Sequence, residues 1–260
     1  MPPPLMFNFR PKLPLCEEDR QWVENGFDRL GRVLGHKRLL QARVVLPDAE
    51  HFPDPYDKSD RAAEKMFCRI CDYMQVDRAQ IELEIFPDET SELKELMPYW
   101  SGGKGSSCAG LYFHPDDENR KMVVAMRQSN MEDPLTVVAT LAHELGHVIL
   151  LGGGLIDHSA KDMEPLTDLL TVYLGFGIFT ANCSGRFRQW QTESKQGWSM
   201  QRLGYLPEEI YGYALARFAH AREERSPKWI RHLSTNVRSY FRKSAAWLEY
   251  EERIKKQPIG

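Results

Sequence analysis

The run Thr140–Ile149 reads TLAHELGHVI, and it constrains the fold more than any other stretch of the chain. Its two histidines, His143 and His147, are four positions apart. On an α-helix that spacing leaves side chains about 40° apart around the axis, so both imidazoles project to one side. The flanks are those of a helix. Asp133 and Pro134 supply an N-cap and a first-turn proline, and Gly152, Gly153 and Gly154 supply a stop near Leu151. Leu135, Val138, Leu141, Leu145 and Ile149 can face a core. The side bearing the histidines has Thr136, Ala139, Thr140 and Gly146, small enough for a second helix to approach.

Two such histidines can simply be satisfied core residues. The pattern also suits two nitrogen ligands of one Zn²⁺. Glu144 lies beside them, where its carboxylate reaches a water rather than the metal. A catalytic zinc needs a third protein ligand and one open position. Glu164, in MEPLTDLL, is the best candidate, and Asp157 and His158 are the alternatives in the intervening loop. Pro165 follows directly, so Glu164 must sit in the first turn of its helix. Asp168, four residues on, can accept a hydrogen bond from the distal N–H of His143 or His147 and fix its tautomer. In that arrangement zinc activates water and Glu144 serves as general base. A second electrophile would come from His158, Tyr173, Tyr211, Tyr213 or His220, among which the sequence does not choose.

The rest of the chain reads as α+β. A helix is expected from Glu17 to Leu34, a buried strand at Ala42–Leu46, and a helix capped by Ser59 or Asp60 whose apolar face includes Ala63, Phe67, Ile70 and Met74. Strands are expected at Gln80–Phe86, Ala109–His114 and Lys121–Arg127. One of the last two should form the sheet edge on which a substrate strand could pair. After Cys183 the character changes. Ser184–Gly204 reads as a polar loop or lid, Pro207 begins a helix, and Ser226-Pro227 begins a longer one. Residues 1–183 are therefore expected to form the catalytic domain, with an N-terminal arm and helix, and 184–260 a basic helical extension.

HELGH followed by Glu-x-x-x-Asp on a second helix resembles the glutamate zincins, or gluzincins. The short interval between His147 and Glu164 is more similar to compact members such as the ImmA/IrrE-type regulatory peptidases. The resemblance covers about residues 109–179. It implies a small mixed sheet packed against an active-site helix and a glutamate helix, Glu164 completing a one-zinc site, Asp168 supporting a ligand histidine, and a peptide or protein substrate.

Charge is distributed unevenly. The part up to Cys183 carries about ten excess negative charges and the remainder about seven excess positive ones. The basic helices, with Arg217, Arg222, Arg225, Lys228, Arg231, Arg238, Arg242 and Lys243 interleaved with Trp229, Tyr240 and Phe241, suit an acidic protein partner better than nucleic acid. No uninterrupted apolar run approaches the ~18 residues of a membrane span, and MPPPLMFNFRPKLP lacks a secretory h-region. Five cysteines fit a reducing compartment, so a cytoplasmic protein without membrane contact is expected. Cys68 and Cys71 lack a second metal-binding pair, and SGGKGSS lacks the spacing of a phosphate-binding loop. Cys108 could restrain the zinc as an inhibitory thiolate. Two further readings compete with a zinc metallopeptidase: a non-catalytic zinc-binding interaction module, and a nucleic-acid-associated regulatory protein.

Overall fold

A computed structural model describes residues 10–87, 110–113, 121–157, 160–192 and 206–256, with backbone only for 110–113 and 185–192. The elements in order are α1 (Glu17–Leu34), α2 (His36–Gln41), α3 (Asp60–Met74), β1 (Ile81–Phe86), β2 (Gly110–Phe113), β3 (Met122–Arg127), α4 (Pro134–His147), α5 (Met163–Tyr173), α6 (Gly177–Thr192), α7 (Glu208–Ala221) and α8 (Thr235–Lys255). The architecture is mixed and mostly helical.

The described sheet has the order β1-β3-β2. β1 pairs parallel with β3, Ile81 opposite Met122, and β2 pairs antiparallel, Phe113 opposite Val123. Among the described strands β3 is therefore central, and β1 and β2 are the two edges. Between the two strands weighed as edges, the topology selects the Gly110–Phe113 segment.

Local chemistry explains the helix starts. Ser59 accepts the Ala62 N–H at the head of α3. Asp133 accepts the Leu135 N–H at 3.1 Å, and the Thr136 hydroxyl donates to its other oxygen at 3.0 Å. Both α4 and its continuation are deeply buried: from Thr136 to Val148 every residue is. After His147 the helix widens into a π-turn over Val148–Gly152, the kind of interruption that clusters at functional sites. Pro134–Gly152 is long and apolar enough to cross a membrane by length and composition, but 83% of its 18-residue apolar window is buried inside the protein.

Three local expectations are corrected. Ala42–Leu46 is not a strand of the sheet. It is an extended segment whose Val45 N–H donates to Gly175 O at 3.0 Å, and Val45 itself is fully buried. The Arg222 guanidinium donates to the carbonyls of Leu39, Leu40 and Ala42, which fixes where this segment begins. A short apolar run marks burial without specifying pairing. Second, the helix expected from Ser226-Pro227 is split into a 3₁₀ turn at Lys228–His232 and α8, capped by Ser234. Asn182 holds the break. Its Nδ2 donates to His232 O and its Oδ1 accepts from the Ser234 N–H, both at 2.8 Å. Third, the expected loop after Cys183 is helical as far as Thr192, because α6 runs through it. The remainder of that loop, SGGKGSS, Cys108 and the turn after His114 lie outside the described residues.

The boundary at Cys183 thus falls within α6. One buried cluster joins Val23 and Leu30 of α1, Leu141 and Leu145 of α4, Leu166 and Leu169 of α5, Tyr213 and Phe218 of α7, and Val237, Phe241 and Leu248 of α8. Among the described residues the basic helices share the core of the preceding part. Gly26 contributes by absence: a Cβ there would overlap the Leu169 side chain, so α1 lies close against α5.

Candidate metal centre

α4 and α5 pack closely enough to bring His143, His147 and Glu164 together. One ligand atom from each lies within 4.8 Å of the others. Glu164 occupies the first turn of α5, as Pro165 requires. A carboxylate also sits favourably at a helix N-terminus.

The outward-facing nitrogens are set by the inward-facing ones. His143 Nδ1 lies 2.8 Å from Asp168 Oδ1. A carboxylate only accepts, so Nδ1 carries the proton and Nε2 is the other nitrogen on offer. That Nε2 lies 3.0 Å from Glu164 Oε2. His147 Nε2 lies 3.4 Å from the same oxygen. Two ligands of a tetrahedral zinc at usual bond lengths stand about 3.3 Å apart. The two nitrogen–oxygen distances are close to that separation. The imidazole planes cross at 84°, with ring centroids 4.9 Å apart.

Exposure is unequal in a useful way. The His143 side chain is 3% exposed, and that of Glu164 is 47% exposed. The group is buried at its histidine end and half-exposed at the Glu164 side chain. Glu144 is buried on the same helix turn.

The electrostatics favour a positive charge at this point. Burial works against a charged His143, yet the hydrogen bonds and charges of Asp168 and Glu164 outweigh it and hold its pKa well above the ordinary value. Burial would raise Glu164, but the neighbouring charge of His147 and the hydrogen bonds from both histidines pull it well below the usual carboxylate range. For Glu144 burial is the dominant influence. Burial pushes its carboxyl up to about 7, with His147 and His143 opposing. A cation at the triad would draw Glu144 back toward its ionised form.

Two neighbours were not foreseen. The Thr167 hydroxyl lies 3.3 Å from His147 Nδ1 and donates to Met163 O at 2.9 Å. The Leu206 backbone N–H donates to Asp168 Oδ2 at 2.7 Å. Glu164, Thr167 and Asp168 stand at i, i+3 and i+4, a helical-face spacing that could have singled out Thr167. A backbone amide after a long polar stretch leaves no such signal.

None of the other described candidates belongs to this triad. Asp157 is exposed in the loop after α4 and is not part of the converging triad. His158 lies outside the described residues. The Tyr173 hydroxyl donates to Gly35 O at 3.1 Å, at the far end of α5, about 13 Å along the helix from Glu164. The Tyr213 hydroxyl donates to Glu24 at 2.6 Å, and His220 pairs with Glu252 at 3.3 Å. Tyr211 is buried in the core on α7. Cys71 is buried on α3, where burial raises its thiol to about 12, and Cys68 lies beside it on the same helix.

No protein-family model, curated protein or solved structure matches the chain.

Proposed function

We propose that the protein is a zinc-dependent hydrolase of peptide bonds, with one Zn²⁺ held by His143, His147 and Glu164. The supporting observation is the aim of both Nε2 atoms at one Glu164 oxygen, beside a buried carboxylate with a raised pKa. A donor set of two imidazoles and a carboxylate with one open side is that of a hydrolytic zinc rather than a closed structural one. When bound, such an ion acidifies water and polarises a carbonyl.

Glu144 then takes a proton from the attacking water and delivers it to the departing amine nitrogen. Asp168 holds His143 in its ligand tautomer throughout. β2, at one edge of the described sheet and antiparallel to β3, is the strand beside which an extended peptide would add as a further strand. A purely structural metal module would not need an acid at position 144.

The test is Glu144→Gln. The zinc-loaded variant should keep its metal and fold, and should cleave peptide-library substrates about 10²–10⁴ times more slowly than wild type. Equal cleavage by both proteins would remove Glu144 from the chemistry.

A further inference from the structure

We propose that Thr167 is a positioning residue that selects which nitrogen of His147 faces the metal. The inference rests on the metal reading above, and deepens it by giving each ligand histidine its own partner.

The argument is a count of protons. A threonine hydroxyl has one hydrogen to donate and two lone pairs with which to accept. Met163 O can only accept, and the Thr167 hydroxyl lies 2.9 Å from it. That hydrogen is therefore committed. The contact with His147 Nδ1, at 3.3 Å, must then run the other way, with Nδ1–H donating to the threonine oxygen. Nε2 is left with its lone pair and faces Glu164 Oε2 at 3.4 Å. Asp168 performs the same task for His143 from the next residue of α5. The two histidines of one motif are thus oriented by consecutive residues of one helix, His143 by the Asp168 carboxylate and His147 by the neutral Thr167 hydroxyl.

The packing that delivers Thr167 depends on Gly146. A Cβ added there would sit 2.7 Å from Thr167 Cγ2 and 3.7 Å from Leu170 Cδ2. The methyl and hydroxyl of Thr167 share one carbon. Displacing the methyl turns the hydroxyl away from His147 as well. The glycine between the motif's leucine and second histidine is therefore part of the same device.

Three variants test this. Thr167→Val keeps the shape and removes the hydroxyl. Thr167→Ser keeps the hydroxyl. Gly146→Ala keeps Thr167 and displaces it. Zn²⁺ affinity is measured for each by competition with a chromophoric chelator. The slowly exchanging His147 Nδ1 proton is followed by NMR in the zinc-loaded proteins. Thr167→Val and Gly146→Ala should each bind Zn²⁺ about 10–100 times more weakly and lose that proton signal. Thr167→Ser should retain both. If all three match wild-type affinity and keep the signal, the positioning role is wrong while the metal site stands. If wild-type protein itself binds no Zn²⁺, the metal reading has failed instead. Should Thr167→Val not fold, the Thr167→Ser and Gly146→Ala pair decides the matter by the same readouts.

Discussion

Two helix pairs in this protein treat polar groups in opposite ways. Between α4 and α5 the polar side chains beneath Glu164 are almost sealed from water: His143 is 3% exposed, His147 8% and Asp168 1%. Each is held by a partner that fixes its direction, and the directions converge. Between α7 and α8 the polar groups stay near the surface, with His220 30% exposed and Glu252 42%. There Glu252 serves both His220 and Lys256. His220, Glu252 and Lys256 line one broad, open groove there. Burying hydrogen-bonded ionisable groups is costly, and a fold retains them where their chemistry is used. Exposed ion pairs are nearly neutral in energy and carry little information. The first pair marks a site, and the second marks a solvated surface.

The contrast can be broken by mutation. The largest effect is expected at Asp168. Asp168→Asn leaves an oxygen for the His143 N–H but turns an amide donor toward the Leu206 N–H. Two buried donors then face each other, at a cost of about 1–3 kcal/mol. Denaturant unfolding of the metal-free protein should show that loss, and zinc affinity should fall as His143 loses its anchoring charge. An unchanged unfolding midpoint would mean that the Leu206 contact is dispensable. The smallest effect is expected at Glu252. Glu252→Gln removes the hub of the surface cluster, and thermal unfolding should not change measurably. A marked drop there would erase the distinction between the two pairs.

The same contrast explains what the sequence disclosed. The motif helix was legible because its ligands, cap and stop are all local: Asp133, Pro134, His143, His147 and the terminal glycines lie within one continuous run. Glu164 and Asp168 were legible because they too fall on one helical face. Which histidine Asp168 serves was not, since either imidazole satisfied the spacing and only the packing of α5 on α4 assigns it to His143. The extended segment at Ala42–Leu46 was misread for the corresponding reason. Its apolar residues reported burial, but its partners are Gly175 and Arg222, far along the chain. The break at Leu233 is likewise imposed by Asn182 from another helix. The charge asymmetry about Cys183 suggested a basic helical extension without showing whether its helices complete the core. Charge reports the surface, however, and the buried residues of α7 and α8 belong to the shared core.

The measurement that bears most directly on the account is zinc stoichiometry. Purified protein, stripped by chelator and equilibrated against Zn²⁺, should take up one ion per chain, and His147→Ala treated identically should lose it while keeping its helical content. Wild-type protein that takes up none, or a folded His147→Ala that holds zinc as fully and as tightly as wild type, would contradict the assignment of His143, His147 and Glu164 as a metal centre.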